Sequence, residues 1–269
     1  MPILWLRVAL GFYALGLLSA LLALTRQSGL LRIALPAMSV GMVFNFVSLA
    51  EAVIPLGPVA LTSVHNAESL LALLVMAAFM IVYFIYGTTS PGLVIFPLVF
   101  VLTFAAATRQ QPFLFTSPVL GGWLIAHIAL IFAGYAALFL SFTASVLYLI
   151  QERRLKSKKL GGVMSRLPAL QQIDEIGYRS LLFGFPFMTL GLIAGMVVAQ
   201  ATFGHLDFLD PKILLSLLMW AVYMVMLFTR WNAGWRGRRA AYLATGAFVA
   251  ALIAWSANYF SAIHKVVQS

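Results

Sequence analysis

The chain carries four histidines, His65, His127, His205 and His264, and no cysteine. Imidazole moves protons near neutral pH and is a common metal ligand, so these four positions are the first candidates for chemistry. Without cysteine, disulfides, thiol redox chemistry and thiolate ligation by this chain are excluded. Acids are scarce: Glu51, Glu68, Asp207 and Asp210 lie near the ends of apolar runs, and Glu152, Asp174 and Glu175 sit among basic residues. The metalloprotease, Walker and dinucleotide-binding motifs are absent, and no Ser-His-Asp arrangement can be inferred.

The residues that position these histidines are overwhelmingly apolar. Of 269 residues, 63% are hydrophobic and 9% charged, far too little polar surface for a water-soluble domain of this size. About twenty apolar residues cross a bilayer core. Runs of that kind recur at 3–24, 33–54, 66–86, 91–108, 120–150, 180–202, 213–229 and 240–261. The expected fold is all-α and polytopic, one integral membrane domain over residues 1–269 with about eight transmembrane helices. The run beginning at Ile3, which contains Arg7, reads as a retained first helix rather than a cleaved signal. The formal charge of +10 reads as topology rather than nucleic-acid binding. With the N-terminus outside, 13 of the 17 basic residues fall on the inner side, so both termini are expected outside, in the periplasm or its equivalent. The one long loop, 151–179, is basic, suited to anionic headgroups. Leu167, Leu170, Ile173, Asp174 and Glu175 suggest a short amphipathic interfacial helix within it.

That topology was set by lysine and arginine alone, yet it puts all four histidines on the outer side. His127 is the informative one, about 10 Å inside its span at helical rise. An intramembrane histidine is costly unless it faces protein, water or a cofactor. Trp123 lies one turn outward on the same face, and Gly134, Ser141 and Ser145 continue that face inward, leaving room for a second helix or a flat cofactor. Two readings stand: a hydrogen bond to a neighbouring helix, or a ligand. Two histidines from different helices over an apolar cavity suit axial ligation of haem iron. His65 and His205 read more simply as solvated. The GxxxG of Gly191 and Gly195 reads as tight helix packing, and Pro186 as a kink. Arg236, Arg238 and Arg239, with Trp231 and Trp235, read as inner-face anchors. A path of Asn45, Glu51 and Glu68 would suit a small-solute transporter, but the paired broken spans of such proteins are not seen.

Three segments are recognisable: 184–191 (GFPFMTLG), the Asp210-Pro211-Lys212 turn, and 234–242 (GWRGRRAAY). They resemble the cytochrome c assembly family (CcsA/CcmC-like), and most closely its HemX/YpjD-type branch, whose basic loop is similar to 148–156 (YLIQERRLK). The resemblance is strong over 120–264 and weak over the first four spans. It implies haem handling, with a b-type haem held at the outer face. His127, on a Trp-x-x-x-His run, matches the first iron-ligating histidine of the family and His264 the second. Phe203 to Lys212 corresponds to the loop that cradles haem. By the same likeness Trp123, Phe203 and Phe208 would form apolar walls, and Asp210 and Lys212 would place the loop or meet the propionates. Phe203, Asp207 and Leu209 stand where the family's loop has tryptophans, and Phe228 where it has a further histidine. The expectation is therefore a protein of cytochrome c biogenesis or HemX type that holds or passes haem, not an enzyme, in a bacterial inner membrane. Its partners would be haem, lipid, and cytochrome c maturation or haem-biosynthesis proteins. The alternative is a haem-free regulator acting through the basic loop 151–179.

Overall fold

Apolar runs of this length can satisfy their backbone polar groups in a bilayer only as helices or closed barrels. In the computed structural model they are helices. The structure describes residues 2–25, 30–108, 121–157, 168–204 and 211–256. Among them are eight α-helices: α1 (Pro2–Thr25), α2 (Leu31–Leu56), α3 (Val64–Tyr86), α4 (Gly92–Thr108), α5 (Gly121–Lys156), α6 (Leu170–Phe203), α7 (Pro211–Trp231) and α8 (Arg238–Ser256). A short 3-10 turn, Gly57–Thr62, joins α2 to α3. Six of the helices, α1, α2, α3, α5, α6 and α7, are long and apolar enough to cross a membrane by length and composition. The described residues contain no strand, as the all-α expectation requires.

Among the described residues of 151–179 there is no separate interfacial helix. Residues through Lys156 extend α5, and Leu170 begins α6, a continuous helix of 34 residues. Hydropathy sees only the apolar part of each helix. The charged ends stay helical because Glu152 pairs with Lys156 and Glu175 with Arg179 at i,i+4 spacing. Leu167 lies outside the described residues.

The helices fall into two compact units, α1–α4 and α5–α8. In the first, α1 and α2 run antiparallel through glycine contacts. A Cβ on Gly41 would lie 2.6 Å from the Tyr13 ring, and one on Gly16 2.7 Å from Met38. Phe44 stacks on Trp5 and Phe12, each at 5.6 Å, and Phe79 of α3 meets Phe96 of α4 edge-on. Asn45 is fully buried and satisfied by Ser69, whose hydroxyl donates to its side-chain oxygen at 2.6 Å. The Asn45 amide donates back to the Ser69 carbonyl at 3.3 Å. This reciprocal pair locks α2 to α3.

In the second unit the governing feature is a seam of small residues on α6. Gly177, Gly184 and Gly191 recur every seven residues, with Gly195 one turn further, so they stay on one face along the helix. Each faces α5 in antiparallel register. A Cβ on Gly177 would touch Ala144 at 3.4 Å, one on Gly184 would sit 2.6 Å from Ala137, and one on Gly191 2.9 Å from Ile131. Gly134 of α5 reciprocates by packing on the Met188 backbone. Such close approach compensates for the weak hydrophobic drive between helices in lipid. Helix α7 closes the group: the buried Tyr223 hydroxyl donates to the Gly134 carbonyl at 2.6 Å, and the Trp220 indole to Thr189 at 3.0 Å. Phe248 of α8 stacks on Phe142 of α5.

Candidate functional site

The top of the α5–α6 seam holds His127. Its ring rests on Gly195, where a Cβ would come within 2.6 Å of Cε1 and 2.7 Å of Nδ1. Its Nδ1–H donates to the carbonyl of Gly191 at 2.8 Å. A carbonyl only accepts, so Nδ1 carries the proton in this contact. Of the two readings of His127, the geometry contains the hydrogen bond to a neighbouring helix, and that bond fixes the orientation of the ring. The GxxxG of α6 is likewise more than a packing motif, since Gly191 supplies the acceptor and Gly195 the space.

Trp123 lies one turn from His127 on α5 and is 53% exposed. On α6 the neighbouring positions Leu190, Ile193, Met196 and Val197 also present apolar side chains outward. Gly204 ends α6 in a left-handed conformation at φ 74°, and α7 restarts at Pro211. Phe203 and Lys212 therefore stand at the last turn of α6 and the first turn of α7. Their side chains, and all of His205, Phe208, Asp210 and His264, lie outside the described residues. His65 belongs to the first turn of α3 in the other unit, half-buried.

The opposite end of the same four helices carries a site the sequence reading missed. Asp174, expected in an interfacial helix, instead clamps the basic turn between α7 and α8. Arg230 binds it in two-point fashion, Nη1 to Oδ1 at 2.9 Å and Nη2 to Oδ2 at 2.6 Å. The Gly237 backbone N–H donates to Oδ1 at 3.0 Å. Arg230 also stacks over Tyr178 at 4.7 Å, whose hydroxyl accepts from the Trp231 indole at 2.9 Å. Gly237 has φ 61°, and a Cβ there would meet the Tyr148 hydroxyl, so glycine is required twice over. The Gly-Trp-Arg-Gly-Arg-Arg string, expected to supply inner-face anchors, thus forms in part a clamped turn. A cavity of about 40 Å³, bordered by Ser141, Ser145, Tyr148, Asp174 and Arg230, lies beneath it. That is room on the scale of a water molecule. The sequence signal was slight: one aspartate inside a strongly basic stretch.

A family model described as cytochrome C assembly protein matches residues 6–264. The chain belongs to the cytochrome c assembly family. Among curated relatives, it is 28% identical over 210 residues to "Cytochrome c biogenesis protein CcsA" of Guillardia theta, with 70% of each chain covered. It is 34% identical over 152 residues to the protein of the same name in Prochlorococcus marinus (strain MIT 9215), where 49% of each chain is covered. With the Chlamydomonas reinhardtii protein of that name the identity is 33% over 135 residues, 49% of this chain and 36% of the other. Apart from the Guillardia protein, the match thus spans about half or less of these relatives' length. No solved structure matches. Membership in this family and the apolar helices make it a multi-pass membrane protein.

Proposed function

We propose that this protein holds or passes a non-covalently bound haem at the outer face of a bacterial inner membrane, with His127 and His264 as axial ligands. One observation carries the reading: the 2.8 Å bond from His127 Nδ1–H to the Gly191 carbonyl, which holds the imidazole in a fixed orientation through Nδ1 rather than Nε2. The surroundings fit the group on the α5–α6 side. Gly195 accommodates the ring, and Trp123, exposed one turn away on α5, offers apolar surface. The absence of cysteine leaves no thioether attachment to this chain, which supports b-type binding. Bound haem would supply the iron redox chemistry, while the chain would bind it, orient it and restrict water. Phe203 and Phe208 would add apolar contact, and Asp210 and Lys212 would place the loop or meet the propionates.

The replacement of the family's loop tryptophans by Phe203, Asp207 and Leu209, and of a further histidine by Phe228, supports a HemX/YpjD-type protein that handles haem without ligating it to apocytochrome. Its partners on this reading are proteins of cytochrome c maturation or haem biosynthesis. The test is an absorption spectrum and pyridine haemochrome count on protein purified in mild detergent from haem-supplied cells. Wild type should carry about one haem per chain. His127→Ala and His264→Ala should lose or shift the Soret band. A double variant that retains stoichiometric haem sinks the ligand assignment.

A further inference from the structure

The arginine-rich end of the second unit has more positive charge than its own acids can match. Each described carboxylate there has one cationic partner: Asp174 has Arg230, Glu175 has Arg179, and Glu152 has Lys156. Arg153, Arg154, Arg236, Arg238 and Arg239 remain without an ion pair among the described residues. Two of these converge. Arg238, the first residue of α8, donates to the Tyr242 hydroxyl at 3.3 Å and lies 5.5 Å from its ring. Arg153, near the end of α5, acts electrostatically on the same hydroxyl. Glu152 acts on Arg238 electrostatically, and its carboxylate is engaged by Lys156 at 2.7 Å. Arg238 and Arg239 also occupy the first turn of α8, where the helix dipole disfavours cations and favours an anion.

Along α8 from Arg238 runs an exposed apolar stripe. Tyr242, Gly246, Val249 and Leu252 follow at spacings of four, three and three residues, and so share one face of α8. Tyr242, Val249 and Leu252 are each about half exposed, at 48%, 49% and 51%. A Cβ on Gly246 would meet nothing within 4 Å, so the stripe has an open notch between its bulky residues. The opposite side of the helix is the packed one, where Phe248 stacks on Phe142.

We infer that Arg153, Arg238 and Tyr242 bind the headgroup phosphate of an anionic phospholipid, with an acyl chain lying along the Gly246 notch of α8. The charge excess selects an anion, and the stripe descending from it selects a lipid over a soluble phosphate. The assignment is independent of haem at the other end of the helices.

The experiment uses full-length protein purified in detergent and delipidated, then offered phosphatidylglycerol or phosphatidylcholine and examined by native mass spectrometry. Wild type should retain phosphatidylglycerol about ten-fold over phosphatidylcholine. Arg153→Gln with Arg238→Gln should bring the two lipids level. Gly246→Leu, which fills the notch and leaves every charge in place, should weaken retention by itself. Arg154→Gln with Arg236→Gln removes the same charge elsewhere and should leave the preference intact. Equal loss in both double variants would overturn the site in favour of a diffuse field. Displacement of the lipid by excess inorganic phosphate would overturn the lipid in favour of a soluble anion. Full retention in both Arg153→Gln/Arg238→Gln and Gly246→Leu would overturn the proposal outright.

Discussion

Replacing Gly195 by alanine adds one methyl group at the closest contact of the candidate site. The new Cβ would stand 2.6 Å from Cε1 and 2.7 Å from Nδ1 of His127, so the ring must retreat about 0.8 Å to reach ordinary contact at 3.4 Å. A retreat of that size along the 2.8 Å bond to Gly191 would lengthen it to about 3.6 Å, beyond the range of a hydrogen bond. Losing the bond costs about 1 kcal/mol, and overpacking adds about 1–3 kcal/mol. If His127 ligates haem, a share of about 1.5–3 kcal/mol in binding corresponds to roughly a 10- to 150-fold rise in Kd. The assay is haem titration of apoprotein in detergent, following the Soret band and the thermal midpoint together. Gly122→Ala is the matched control, because a Cβ there meets nothing within 4 Å. Gly195→Ala should weaken haem and shift its spectrum. Gly122→Ala should do neither. In combination with His127→Ala, the Gly195→Ala effect on haem should vanish, since the ring it displaces is gone. Unchanged affinity and spectrum in Gly195→Ala would refute the claim that the glycine positions the imidazole. An undiminished loss in the His127→Ala background would show that it acts through helix packing alone.

Two further outcomes follow from the second unit. Asp174→Ala leaves Arg230, whose side chain is 11% exposed, and the Gly237 N–H without their shared acceptor, and should lower stability by about 2–4 kcal/mol. Glu175→Ala removes an exposed pair with Arg179 and should cost under about 0.5 kcal/mol, so thermal unfolding of the two variants in one detergent separates them. Tyr223→Phe removes only the buried hydroxyl donated to Gly134 at 2.6 Å and should cost about 1 kcal/mol, a fall of about 2–4 °C in thermal midpoint.

Much of this architecture was legible along the chain. Repeated apolar runs and scarce charge demanded helices in a membrane, because hydropathy is additive over neighbouring residues and the bilayer sets the length that counts. His127 stood out because one imidazole in an apolar run has few inexpensive explanations. The motifs of 184–191 and 234–242 carried the family, since they are contiguous strings. The helix ends were misjudged for the same reason the spans were found. Asp174 and Glu175 interrupt hydropathy without interrupting the helix, so α6 begins at Leu170 and not near Ser180. The heptad of Gly177, Gly184 and Gly191 was present in the sequence, but its meaning depended on which helix it faced. Only the folded chain decided that His127 rests on Gly195 and donates to Gly191, 64 residues away. The same holds for Asp174, which clamps Arg230 and Gly237, 56 and 63 residues downstream. Hydrogen bonds and ion pairs act over about 3 Å and require a particular orientation. Composition and spacing report which groups are available, and the antiparallel register of α5 and α6 determines which of them meet.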